Sequence, residues 1–193
     1  MKKNIRNVII VIVCVAAVVG GFYWVTQREA GKTTEEVKLT EVQKVITKDI
    51  EGSYPATPRE VIKTYNRIIS CFYNEEYTED ELYDLGDQAR LLFDEELLEN
   101  NPRDTYFEEL KADIADYEAN ERTIASTSVS SSNDVEYKTI DGEECAYVET
   151  AYFIKEGKSY QRTYQMYLLR KDDAGKWKIV AFQKIKGDSS DDE

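Results

Sequence analysis

Acid–base chemistry in this chain would have to run on a carboxylate and a tyrosine, because its 193 residues include no histidine. Imidazole is the commonest general base near neutral pH. Tyrosine is abundant, with 14 copies. Tyr65, Tyr117, Tyr152 and Tyr164 fall on core-facing positions of the elements read below, so they are the candidates for lining a pocket. An Asp or Glu base with a Tyr donor is the form such a site would take. Asp113 and Asp116 flank the apolar stripe that carries Tyr117, and Glu149 lies on the mixed face of a strand. Spacing alone sets none of these acids beside a tyrosine, so no residue is assigned as catalytic. The same rings serve equally as core filler, with hydroxyls reaching the rim or a backbone group.

Other chemistries find less. Of three cysteines, Cys14 sits inside an apolar run, leaving Cys71 and Cys145, too few for a disulfide framework. Neither has a histidine partner to lower its pKa, and both are expected to be free, unreactive thiols. Zinc lacks its usual nitrogen and clustered sulfur ligands, and the acidic runs match no calcium-loop spacing. There is no G-x-S-x-G elbow and no phosphate-cradling glycine loop. No cofactor or metal is expected.

Charge narrows the partners. Lys2, Lys3 and Arg6 precede the apolar run Val8–Val25, so 22 basic residues face all 38 acidic ones beyond it, a net charge near −16. That field repels phosphate backbones, which excludes nucleic acid. The run itself is eighteen residues without a charge, long enough as a helix to span roughly 27 Å of the ~30 Å hydrocarbon layer. Phe22, Tyr23 and Trp24 would sit at one interface. They read as an uncleaved anchor rather than the start of a mature chain. The short basic head, residues 1–7, favours the N-terminus inside, placing the rest on the extracytoplasmic side of the plasma membrane.

Residues 26–54 read as a polar stalk ending in a short helix, opened by a Thr40–Gln43 capping box. Residues 55–187 read as the folded domain and 188–193 as an acidic, disordered tail. Thr57-Pro-Arg-Glu60 starts a helix whose apolar stripe runs from Val61 to Tyr73. Thr78–Glu81 opens a second, with Leu82, Leu85, Ala89, Leu92 and Phe93 inward, a kink at Gly86, and Asp94 capping a last turn. Asn101-Pro102 opens a third, whose outward acids include Glu108, Asp113 and Glu118. From Arg122 the texture turns β-branched and aromatic, with strands near 123–131, 134–140, 143–155, 159–171 and 176–186. Along 143–155, Ala146, Val148, Thr150, Tyr152 and Ile154 share the face suited to helix packing. Short connections, such as Asp141-Gly142, make the sheet an antiparallel meander. The expected class is therefore α+β: an N-terminal transmembrane helix, then three helices packed on a curved antiparallel sheet.

The helix TPREVIKTYNRIISCFY, followed by long hairpins ending in the Gly175–Ile179 strand GKWKI, resembles the nuclear transport factor 2-like, or cystatin-like, cone over residues 55–186. The whole chain looks like membrane-anchored bacterial members of that superfamily. The resemblance implies a sheet that curls with its helices around a pocket. It leaves activity open, because the fold hosts enzymes, binding modules and assembly proteins alike. The leading expectation is a non-catalytic binding or envelope-assembly module, with an envelope protein or further copies of the chain as partners. The alternative is a small-ligand-binding or isomerase- or dehydratase-type domain using a Tyr and carboxylate pocket. A hollow, polar-ended cone favours the small ligand, and a filled one with an exposed apolar patch favours assembly.

Overall fold

The computed structural model describes residues 39–186. The membrane run Val8–Val25, the basic head, the stalk through Lys38 and the acidic tail from Gly187 lie outside the described residues. Among the described residues no helix is long and apolar enough to cross a membrane. The described residues form one compact unit, an α+β domain with five helices and a five-stranded antiparallel sheet.

Helix α1 (Glu41–Ile46) begins at Thr40, whose side chain accepts from the Gln43 N–H while Gln43 returns the bond. The domain starts here and not at residue 55. Val42, Val45 and Ile50 are buried in the core, so the second half of the expected stalk is part of the folded unit. Helix α2 (Pro58–Asn74) opens on the Thr57–Glu60 capping box and buries Val61, Ile62, Tyr65, Ile68 and Phe72. Polar Asn66 goes with them, 2% exposed.

Helix α3 (Glu79–Arg90) opens on Thr78 and runs through Gly86 as one α-helix. A close approach, not a kink, calls for this glycine. A Cβ there would run into the ring of Phe107, which packs over the bare backbone from the later helix Arg103–Ala119. Gly86→Ala gains helix propensity worth ~1 kcal/mol but forces a buried ring aside, typically at ~1–3 kcal/mol. A lower urea midpoint is expected, and a raised one would mean that Phe107 swings away freely.

Past Arg90 the chain leaves the helix, where sequence periodicity had carried it on through Phe93. Phe93 forms a parallel bridge with Ile179: the Ile179 N–H donates to Leu92 and the Asp94 N–H donates to Ile179, both at 2.8 Å. Backbone groups on the sheet edge are thereby paired, which outweighs one further helical turn. Asp94 then caps the short α4 (Glu95–Asn100). Helix α5 (Arg103–Ala119) follows.

The strands are β1 (Arg122–Val129), β2 (Glu136–Ile140), β3 (Glu143–Glu156), β4 (Ser159–Lys171) and β5 (Trp177–Ile185). β1 and β2 are not neighbours in a meander. β1 pairs with Thr150–Glu156 of β3 and β2 with Glu143–Tyr147, so they lie end to end along one edge of β3. Ser130 still donates to the Glu149 carbonyl at 2.9 Å, and residues 131–135 then form the turn between β1 and β2. From β3 onward the hairpins are as expected, with Asp141 (φ 52°), Gly142 (φ 90°) and Gly157 (φ 57°) supplying left-handed turn positions. Register shifts between Ile124 and Ser126 of β1, and beside Leu168–Leu169 of β4, break the ladder at two points. Ala146, Val148, Thr150, Tyr152 and Ile154 are all buried on the helix-facing side. Cys71 and Cys145 are both buried and free.

Candidate functional site

Helices α2 and α5 meet over the inner face of the sheet around a cleft of about 280 Å³. From α5 come Tyr106, Glu109, Leu110, Asp113 and Tyr117, spaced three or four residues apart and therefore on one helical face. From α2 come Tyr65, Ile69, Phe72 and Tyr73, and from the sheet Tyr152, Thr163, Gln165, Tyr167 and Phe182. Bidentate Arg103–Asp87 (2.8 and 2.9 Å) and Lys111–Glu79 (2.7 Å) tie α5 to α3 and set its rotation.

The rings are arranged, not simply crowded. Tyr65 meets Phe93 and Tyr167 edge-on, at 5.7 and 5.9 Å between centroids. Tyr73 and Tyr117 stack at 4.0 Å and form a half-buried wall. Beneath them a polar strip enters the core. The Tyr152 hydroxyl lies 2.5 Å from both Asn66 Oδ1 and the Tyr167 hydroxyl, and the Tyr167 hydroxyl lies 2.7 Å from Gln165 Oε1. Three contacts share two phenolic protons, so one terminal carboxamide must donate. Asn66 Nδ2 has no hydrogen-bond partner as oriented. Which amide atom faces which partner is inferred from the network itself. Turning the Asn66 carboxamide over gives each of the three contacts one donor and one acceptor: Asn66 donates to Tyr152, Tyr152 to Tyr167, and Tyr167 to Gln165. The chain then ends on Gln165, whose amide is open to the cleft.

Three of the four tyrosines singled out in the sequence, Tyr65, Tyr117 and Tyr152, line this cleft. Tyr164 does not, and its expected inward orientation is corrected. It pairs with Ala151 and shares the opposite face with Met166 and Leu168, while Thr163, Gln165 and Tyr167 point inward. The inner face of β4 is the more polar one at this end because it borders the cleft, and alternation judged on apolarity selects the wrong parity. Asp113, expected among the solvated outward acids, stands at the cleft, exposed. Sequence reasoning missed Asn66, Tyr73, Tyr106 and Tyr167 as site residues. For Tyr73 and Tyr106 the helical spacing carried the signal. For Asn66, a lone polar residue on an apolar helix face was the available sign.

Burial pushes the phenols of Tyr65 and Tyr167 well above their ordinary value near 10 and raises those of Tyr73, Tyr106, Tyr117 and Tyr152 as well. These groups act as neutral hydrogen-bonding hydroxyls. Among the described residues no carboxylate hydrogen-bonds to a cleft tyrosine, and Glu109 and Asp113 are exposed. The raised values also set a pH dependence. Folded phenols stay protonated where unfolded ones ionise, so their contribution to stability is complete below pH ~10 and is lost as pH rises toward the folded values. Above pH ~10 tyrosinate absorbance from the cleft should therefore appear together with loss of the circular-dichroism signal. Ionisation without unfolding would show the cleft to be wetter than its burial implies.

Fold and site together define an α+β domain built around an aromatic cleft with an acidic mouth. The chain belongs to the family described as Domain of unknown function (DUF6715), which it matches over residues 1–182. No curated protein matches the chain.

Proposed function

We propose that this chain is a single-pass, membrane-anchored cystatin-like cone that binds a small molecule on the extracytoplasmic side of the plasma membrane without turning it over. The carrying observation is the cleft: about 280 Å³, walled by aromatic rings and floored by one polar strip. Small-molecule sites are mostly apolar hollows of this kind with a few placed polar groups. The uncharged run Val8–Val25 supports the anchor, and the two ladder irregularities in β1 and at β4–β5 support a curled sheet. The alternative of an acid–base enzyme draws little support, since the cleft carboxylates are solvated and, among the described residues, none hydrogen-bonds to a cleft tyrosine that could serve as its donor. A panel of small molecules on the full chain in nonionic detergent tests the reading. Ligands should raise the melting temperature of the wild type and not of Ile69→Trp, which fills the cleft. Equal shifts in both would remove the cleft from the binding. Impermeant amine labelling of intact cells should modify lysines after Thr26 and spare Lys2 and Lys3. The reverse pattern would place the domain inside.

A second reading has its own observation. The outer face of the sheet presents Tyr147, Phe153, Tyr164, Met166 and Leu168, each only partly buried, with Tyr160 68% exposed at its end. An apolar strip on that face suits envelope assembly with a protein partner or a second copy. Cross-linking from a residue substituted at Met166 in membranes would capture such a neighbour, and its absence there would retire this reading.

A further inference from the structure

We infer that the cleft takes a small organic cation, an amine or quaternary ammonium on an apolar body; this rests on the small-molecule reading above and names the ligand class of the same site. Among the described residues, six tyrosines and two carboxylates line the cleft, and no lysine or arginine does. Glu109 and Asp113 stand one helical turn apart on α5 with their charges at the mouth. The Tyr73–Tyr117 stack sits beside Asp113. Both phenols are raised by burial first, and Asp113 pushes each the same way, while the Arg122 charge pulls Tyr117 in the opposite direction.

Two arginines, Arg122 and Arg90, act on the cleft tyrosines Tyr117 and Tyr106, and each has partners of its own. Arg122 is paired with Asp116 at 2.8 Å and Glu156 at 3.1 Å. Arg90 donates to the Asn101 carbonyl at 2.7 Å and lies over one face of Tyr106. A cation entering between α2 and α5 therefore meets a wall of tyrosine rings, whose quadrupoles attract it, and two carboxylates that are paired with no cation among the described residues. An anion meets the same carboxylates and a domain carrying about −16 beyond the apolar run. A neutral ligand gains neither attraction. The cleft volume is at the small end of the range for ligand sites, which calls for a compact molecule.

Three probes of similar size decide the matter: benzylammonium, benzyl alcohol and phenylacetate, titrated calorimetrically into the full chain in nonionic detergent. The cation should bind about tenfold tighter than the alcohol, with phenylacetate weakest and the cation's advantage shrinking with added salt. Glu109→Gln with Asp113→Asn should weaken the cation by about five- to tenfold and leave the alcohol unchanged. Both positions are exposed, so the variant should keep the wild-type melting temperature. Binding of the alcohol or phenylacetate as tightly as the cation, or an unaltered cation affinity in the double variant, overturns the charge class and leaves the small-molecule reading standing. Failure of all three probes to bind overturns both.

Discussion

Tyr167→Ala is expected to cost about 3–5 kcal/mol of folding stability, the range for removing a buried aromatic ring. Tyr167 is fully buried. Its ring contacts Tyr65 at 5.9 Å and Phe182 at 5.6 Å, and its hydroxyl joins Tyr152 to Gln165. Alanine removes the ring and opens the cleft into the core, so a cavity is added to the lost contacts. Tyr167→Phe separates the two contributions. It keeps both ring contacts and removes one hydroxyl from the chain, leaving Tyr152 with Asn66 as its partner. About 1–2 kcal/mol is expected from the lost hydrogen bonds. Urea unfolding of both variants gives the comparison. If phenylalanine proved as damaging as alanine, the hydroxyl chain rather than ring packing would hold the inner face of β4 in place.

Arg170→Met should be the most damaging change at a charged residue, at about 3 kcal/mol. Asp94 has a side chain only 7% exposed, and Arg170 donates to both of its oxygens. The arginine is 27% exposed and also reaches Glu96 at 3.4 Å and Glu143 at 3.1 Å. The two partners are therefore unequal. Without Arg170, a buried carboxylate keeps only the Glu96 N–H at 3.0 Å as a hydrogen-bond donor. Without the Asp94 charge, Arg170 retains two carboxylates and contact with water. Asp94→Asn should cost only about 1 kcal/mol, because asparagine also caps a helix and the remaining pairs are exposed. A double-mutant cycle measures the coupling directly. Equal effects from the two single variants would mean that water reaches Asp94 and the pair is a surface one.

What the sequence determined by itself was everything that depends on hydrogen bonds or torsions within a few residues. Thr40, Thr57 and Thr78 each open a helix through a capping box whose partners lie three residues on, so composition was enough to place the three starts. Asp141, Gly142 and Gly175 take positive φ in their turns for local steric reasons. The inner face of β3 was legible because its alternation is nearly unbroken from Ala146 to Ile154, and burial on one face gives a period of two.

The tertiary structure decided what depends on a partner distant in the chain. Leu92–Asp94 leave the helix because Ile179, some 85 residues later, offers backbone groups to pair. β1 and β2 lie end to end because β3 has 14 residues and its edge accommodates both. Gly86 is required by the ring of Phe107 on another helix. The parity of β4 turns on which face borders a cleft, and no property of Tyr164 or Tyr167 distinguishes them until that cleft exists. The Asn66–Tyr152–Tyr167–Gln165 chain likewise joins three elements whose separate patterns carry no trace of one another. Local torsions and caps are properties of a segment. A buried hydrogen-bond chain and a pocket are properties of the packing, because their energies arise only when desolvated groups from separate elements meet.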